Sequence, residues 1–408
     1  MAPLKLPRWT IFAVLTAAFA LSHAFRTVVT LVATPLHLEL ALGSEAIGLI
    51  GGAFHVAFGA MQLPMGVALD LYGPRRVFVL VFPAAAVGAL LVAVSSGAQG
   101  LLVGQLLIGL GCAPVFLATM VMIGRHCPPE RFSGLTGIVL GLGGAGMLIT
   151  GTPLAWVVAT WSWRAAYVVL ALASLAAWTF ALVLLPAEPP ETHRQRTAFI
   201  EALVQVKAIL ARKQTWGLVA LGAVTYASFI SLRGLWLVPL LADRHGYALM
   251  SSGHVALAGS VAALVGPPLF GRIDPGGRSR RQLIVACTLL YALLFALLAI
   301  GMPAIVDVAL TVTAGALAGY FVLQYADVRS AYPSNMSGRA LAIFNTSMFL
   351  GVAAMQWASG IAASAAGAQH AAPVSAAFWI IATLLVAGTA AFALLPWPTG
   401  TQRKFFQE

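Results

Sequence analysis

The sequence predicts an all-α membrane protein, with twelve transmembrane helices arranged as two pseudo-symmetric six-helix bundles. Three observations carry this expectation. Of 408 residues, 60% are hydrophobic and only 9% are charged, whereas a chain whose surface faces water carries about 25% charged residues. Apolar stretches such as 77–94 and 134–159 recur from end to end, each near the ~20 residues that cross a hydrocarbon core as a helix. The second half also repeats landmarks of the first. Arg125-x3-Pro129-x3-Ser133-Gly134 returns as Arg329-x3-Pro333-x3-Ser337-Gly338, a shift of 204 residues. Asp70 and Asp274 keep that shift, and Trp9 with Arg26 matches Trp216 with Arg233 at 207.

Taken in order, the first six spans are expected to start near Trp9, Ala46, Arg76, Gln99, Ser133 and Arg164. The first apolar stretch runs from Trp9 past Leu31 with no A-x-A-like boundary, so it reads as a permanent span and not as a cleaved signal. Residues 1–186 then form the N-terminal bundle. Residues 187–213 are the most polar segment and read as a linker, where Pro186, Pro189 and Pro190 end the sixth helix because proline cannot donate to the ladder. Thr197 to Leu210 could lie on the membrane face as an amphipathic helix. The C-terminal bundle, 214–408, is expected to start its spans near Trp216, Leu249, Arg281, Pro303, Ser337 and Ala372.

The net charge of +11 follows this topology and does not mark a nucleic-acid surface. Nineteen of the 23 Lys and Arg fall in alternate loops and the termini, while the intervening loops hold only Arg164 and Arg244. The positive-inside rule then places both termini and the linker in the cytoplasm. The expected address is a cell membrane of the bacterial inner-membrane type, and the expected unit is a monomer. Cys112, Cys127 and Cys287 are scattered, which indicates neither a disulfide framework nor a metal cluster.

Two charges break the apolar pattern. Arg26 and Arg233 each sit 17 residues beyond a flanking tryptophan, about 25 Å along a helix at 1.5 Å per residue. Charge at that depth costs at least ~2.5 kcal/mol on insertion scales and is usually functional. All twelve Asp and Glu fall in loops or near helix ends. Two buried guanidiniums without a carboxylate partner form a vacancy that an anion could fill, and their forked donors suit carboxylate or phosphate oxygens. The alternative is a structural role, with each arginine bonding backbone carbonyls, Tyr226 or glutamines.

His23 lies three residues before Arg26, on nearly the same helix face, and His55 lies in the second span. Either could carry a proton near neutral pH, and either could be a hydrogen-bonded structural imidazole. Gln105, Gln324, Asn345 and Gln356 could line a cavity or join helices to one another, and Tyr226, Trp236, Tyr320 and Phe321 could form aromatic walls of a substrate cavity or simply pack. Met61-x3-Met65 with His55 admits a soft-metal reading, which the repulsion of a cation by Arg26 and Arg233 opposes. No nucleophile–base constellation or phosphate loop is present, so no enzyme and no cofactor is expected.

The loop between the second and third spans reads Gly66-x3-Asp70-x2-Gly73-x-Arg75-Arg76. It resembles the signature loop of the major facilitator superfamily, with Leu71 and Pro74 in place of two usual basic residues. Gly271-x2-Asp274-x2-Gly277-Arg278 is a weaker copy in the second half. The resemblance covers the whole chain and implies a secondary active transporter in which two bundles rock about a central site. It implies that these loop residues latch the cytoplasmic side. The fourth span reads Gln105-x3-Gly109-x-Gly111, without the arginine of many proton-coupled drug exporters of that superfamily, and the fifth lacks their G-P-x-x-G-G pattern. First- and seventh-span arginines occur in its organophosphate and anion porters. The resemblance therefore implies a small anionic substrate held by Arg26 and Arg233 and moved by proton symport or anion exchange. The alternatives left open are a ligand sensor on a transporter scaffold and a Met/His copper importer.

Overall fold

The computed structural model of the protein describes residues 8–126, 138–139, 141–186, 206–332, 334–369 and 372–395. Among the described residues, twelve helices are long and apolar enough to cross a membrane. In the first half they are α1 (Thr10–Thr27), α2 (Ser44–Leu69), α3 (Pro74–Val94), α4 (Ala98–Ile123), α5 (Gly141–Thr160) and α6 (Trp163–Leu184). In the second they are α7 (Lys213–His245), α8 (Leu249–Arg272), α9 (Gly277–Ile300), α10 (Ala304–Ala331), α11 (Arg339–Ala368) and α12 (Pro373–Leu394). There is no strand among the described residues. The starts fall within a few residues of the sequence expectation, except that the expected start of α5 lies outside the described residues. So do most of the linker and of the Arg125 repeat. Of the amphipathic segment, 206–210 is described and is helical.

Local chemistry sets the helix ends. The Ser162 hydroxyl accepts from Ala165 N at 3.1 Å and caps α6, supplying a partner for one of the orphan amides of a helix start. Pro74 and Pro373 open α3 and α12, where a missing N–H costs nothing. Several spans are broken where a proline four residues on would clash with a helical carbonyl. The α2 helix interrupts after Ala60, ahead of Pro64, and α5 after Ile149, ahead of Pro153. The first span does not run on as one helix past Arg26. It breaks at Val28 and resumes as Val29–Leu40, with Pro35 inside. In α7, Leu232–Trp236 is a π-helical turn, and Pro239 stands four residues after Leu235 within that distortion.

The surface toward lipid carries exposed Leu80, Val183, Leu290 and Leu394. Since lipid is as apolar as these side chains, helices associate through close packing of small residues and through internal polar bonds. An arginine near one end of each half provides such bonds. Arg164 of α6 pairs with Glu39 and donates to the Ser95 carbonyl at 3.3 Å. Arg244 of α7 donates to the Leu298 carbonyl at 2.7 Å, to Asp307 at 3.0 Å and to Ser375 at 2.9 Å. Each arginine thus ties together the first, third and sixth helices of its own half.

At this same end the two halves press together. A Cβ on Gly48 of α2 would sit 2.4 Å from the Gln356 carbonyl oxygen of α11, and one on Gly360 of α11 would sit 2.7 Å from that of Ser44. Only glycine allows such an approach. Glu45 N donates to Ser364 at 2.9 Å, and Gly253 of α8 packs on Ala155 of α5. Elsewhere along this seam a cavity of about 660 Å³ lies between Leu63 and Pro64 of α2, Val219 of α7, Ile343 of α11 and the linker residues Val206 and Leu210.

Candidate functional site

Between the sealed end and that cavity, polar side chains from both halves meet in an otherwise apolar layer. Arg26 ends the first helical piece of its span, just before the break at Val28. It is 5% exposed. One guanidinium nitrogen donates to the Tyr226 hydroxyl of the opposite half at 3.3 Å and another to Ser22 at 3.4 Å. Phe58 of α2 and Phe349 of α11 flank the guanidinium at 4.5 and 4.9 Å to their centroids. These rings partly compensate the buried charge through their negative faces. Arg26 Nε is buried without a hydrogen-bond partner.

Arg233 is placed by the π turn, a distortion frequent at functional sites. It is 2% exposed and firmly held. Nε donates to Ser260 at 2.9 Å, and Nη2 donates to the Met147 carbonyl at 2.9 Å and to Thr150 at 3.1 Å. Met147 and Thr150 belong to α5 of the opposite half, and Nη1 has no partner. Thr150 also lies 2.6 Å from Thr27, the neighbour of Arg26. The two arginines are therefore joined through Thr27 and Thr150, and each reaches across to the other half. The pairing of Arg26 with Tyr226 and of Arg233 with a carbonyl are the structural bonds the sequence left open as an alternative.

The other candidates divide by place. His23 is partly exposed, edge-on to Phe19 at 4.7 Å, with a buried Nδ1 that has no partner. His55 is 1% exposed, and its Nδ1 lies 3.2 Å from the Gly51 carbonyl. Since a carbonyl can only accept, Nδ1 carries the proton and Nε2, which has no partner, keeps its lone pair. Gln324 accepts from Thr225 at 2.9 Å, and Asn345 accepts from the Tyr325 hydroxyl. Gln105 is away from this layer, donating to Tyr167 at 2.7 Å within the first half. Met65 is packed into the apolar core, and no group of three or more metal-ligating His, Cys, Asp or Glu occurs among the described residues.

At the loops between α2 and α3 and between α8 and α9, the resemblance implied a latch. Gly73 takes φ 79° at the turn, Arg75 donates to the Leu182 carbonyl at 3.0 Å, Arg76 is exposed and Gly66 has open space beside it. The Asp70 side chain lies outside what the structure describes. In the second half, Asp274 accepts from Arg280 Nε at 2.7 Å and from Gly276 N at 2.9 Å. The Arg280 bond holds its carboxyl below the usual carboxylate range. Beside it Arg281 reaches Asp327 at 3.6 Å.

Sequence reasoning missed the rings around Arg26 and the hydroxyls that hold Arg233. Phenylalanine is common in any apolar helix, and nothing in the sequence marks Phe58 or Phe349. It also missed the burial of Asp307 and Asp327, which are 0% and 1% exposed, because both stand near helix ends where solvation is the ordinary expectation.

This architecture is that of known membrane transporters. The solved structure of a mutant of the nucleoside transporter NupG superposes with a TM-score of 0.75 at 14% identity, over 95% of this chain and 98% of that one. A D-xylose–proton symporter gives 0.70 at 16% identity, over 95% and 98%. At such identities the likeness is one of fold. The family profile of the Major Facilitator Superfamily matches residues 14–355, and the chain belongs to that superfamily. With twelve apolar helices of spanning length among its described residues, it is a multi-pass membrane protein of that superfamily. Among relatives, YybO of Bacillus subtilis, an uncharacterised transporter, is 24% identical over 60% of either chain. SauU of Cupriavidus necator, named as a probable sulfoacetate transporter, is 27% identical over 47% of this chain and 44% of its own. The hexuronate transporter of Bacillus subtilis is 23% identical over 44% of this chain and 43% of its own. The chain thus spans less than two thirds of the length of these relatives.

Proposed function

We propose that the protein is a secondary active transporter that moves a small organic anion by alternating access, with Arg26 as the principal ligand. One observation carries this reading. Arg26 is a buried guanidinium with two long hydrogen bonds, an unpartnered Nε and no carboxylate partner among the described residues. A charge so placed gains from an incoming carboxylate or sulfonate. Two relatives named for sulfoacetate and hexuronate, both anions, support it. Arg233, held by Ser260, Met147 and Thr150 with Nη1 left over, acts as a lock between the halves, and the halves are residues 1–186 and 214–408 joined by 187–213.

The positive-inside pattern assigns the termini and the α2–α3 and α8–α9 loops to the cytoplasm. The sealed end then faces outward, and the conformation opens inward. Coupling runs either through a proton on His23 or His55 or through a counter-transported anion. Uptake of radiolabelled sulfonates and carboxylates into proteoliposomes tests the assignment. Anion uptake is expected for the wild type and is lost in Arg26→Ala. Equal uptake in that variant removes Arg26 from the site.

A further inference from the structure

We infer that the substrate is an aromatic monoanion, a single carboxylate or sulfonate carried on a flat ring. The inference rests on the anion reading and deepens it. First, one guanidinium is loosely held, although Arg233 also keeps an unpartnered Nη1. Arg233 spends two of its nitrogens on Ser260, Met147 and Thr150, while Arg26 keeps only long bonds to Tyr226 and Ser22. A single carboxylate or sulfonate is enough to satisfy Arg26, whose Nε has no partner.

Second, the wall beside Arg26 is a continuous chain of rings. Phe58 meets Phe349 at 4.4 Å between centroids, Phe349 meets Tyr226 at 5.6 Å, Tyr226 meets Phe321 at 6.3 Å, and Phe321 meets Tyr325 at 5.9 Å. Three of these pairs are edge-to-face, an arrangement that offers ring faces and edges to a further ring. The side chains in this chain that keep partial exposure are Tyr226, Phe321 and Tyr325, so the surface open to a guest is aromatic.

Third, the polar side chains beside the rings are partly engaged with one another, and Gln324 Nε2, His23 Nδ1 and His55 Nε2 are among the buried atoms left without a partner. Tyr325 donates to Asn345, and Gln324 accepts from Thr225. A sugar acid would bring several hydroxyls against ring faces, which offer them no strong hydrogen-bond partner, a penalty in a buried site. A benzoate-like ion brings one charge for Arg26 and one ring for the wall.

The test is a ligand series on the purified full chain in detergent, followed by proteoliposome flux. The probes are benzoate, benzenesulfonate, cyclohexanecarboxylate, galacturonate and inorganic phosphate. Benzoate or benzenesulfonate is expected to stabilise the chain and to be transported. Cyclohexanecarboxylate is expected to bind about two- to tenfold more weakly, the range that one aromatic contact supplies. Galacturonate and phosphate are expected to do neither. Phe349→Leu should erase the preference of benzoate over cyclohexanecarboxylate, and Arg26→Ala should abolish both. If galacturonate or phosphate binds in an Arg26-dependent way and benzoate does not, the aromatic inference is overturned and the anion reading stands. If no anion binds, or binding ignores Arg26, both fall. The wild-type ligand ranking decides the matter even where a variant fails to fold.

Discussion

At the scale of single residues, the two arginines that sequence symmetry pairs are not equivalent in their surroundings. Arg233 makes three hydrogen bonds at 2.9–3.1 Å, whereas Arg26 makes two at 3.3–3.4 Å and leans on rings. Truncating one partner of a buried charge-assisted contact costs about 2–5 kcal/mol. Arg26→Ala is therefore expected to weaken anion binding at least about thirtyfold, read as the concentration needed for half-maximal thermal stabilisation. Arg26→Lys should not restore it, since an ammonium lacks the planar fork. Arg233→Ala is expected to leave anion affinity within a few-fold while lowering the melting temperature, and equal loss of affinity in both variants would return Arg233 to the ligand set. Both residues were legible in the sequence because a charge inside an apolar run has no bland explanation by composition. The hydroxyls of Ser22, Thr150 and Ser260 were not, since such residues occur throughout membrane helices.

The Asp274–Arg280 clasp carries a pH expectation. Its carboxyl is held below the unfolded value, which is near 3.9. Its stabilisation is therefore complete above that value and is lost as pH falls through the lower, folded one. As a half-buried loop pair at the surface it is worth on the order of 1 kcal/mol or less. The melting difference between wild type and Asp274→Asn should be constant from pH 8 to 5 and shrink below about pH 4. A difference that changes around pH 6–7 would mean that the clasp is not what the substitution removes.

At the scale of elements, the contact of α2 with α11 decides which end is shut. The Gly48 Cβ position lies 2.4 Å from a backbone carbonyl, so no side-chain rearrangement relieves a substitution there. Gly48→Leu is expected to separate α2 from α11 and open the sealed end. A cysteine placed at Ala363, which is 1% exposed, reports this in a chain whose Cys112, Cys127 and Cys287 are replaced by serine. Ala363→Cys alone should react slowly with a membrane-impermeant maleimide, and adding Gly48→Leu should speed the reaction about tenfold or more, since a shut site is closed by at least ~1.4 kcal/mol if it opens less than a tenth of the time. Unchanged labelling would show that the glycine contact does not hold the seal. Span positions were readable because eighteen or more apolar residues leave little choice. The π turn at Leu232–Trp236 was not, for Pro239 predicts only that the helix must yield nearby and not in which direction.

At the scale of the whole molecule, the twelve spans and the duplicated halves follow from composition, loop charge and the 204-residue offset. Which end is closed does not, because a carrier's sequence must suit both states and their energies differ by a few kcal/mol at most. The arginine ties at Arg164 and Arg244 make each half a unit, with first, third and sixth helices bound together at one end. Motion between states is then expected to be relative movement of the halves. Removing one tie, as in Arg244→Ala, leaves the buried Asp307 with His245 alone, 2.8 Å away, and is expected to cost less than the about 3–5 kcal/mol of a fully stranded charge, visible as a lower melting temperature in detergent.

The bonds of Arg233 to Met147 and Thr150 have a kinetic consequence. They cross between the halves, so on the proposed alternating-access reading they break whenever the halves part there. An empty protein would break them with nothing to replace them. The proposed anion, bound near Thr27 and Thr150, would give the freed guanidinium a transient partner, and the loaded protein is then expected to turn over faster than the empty one. One-for-one turnover with substrate on both sides of a vesicle should thus outpace net efflux into buffer, and Thr150→Ala, by loosening the lock, should narrow that ratio by hastening the empty carrier's return.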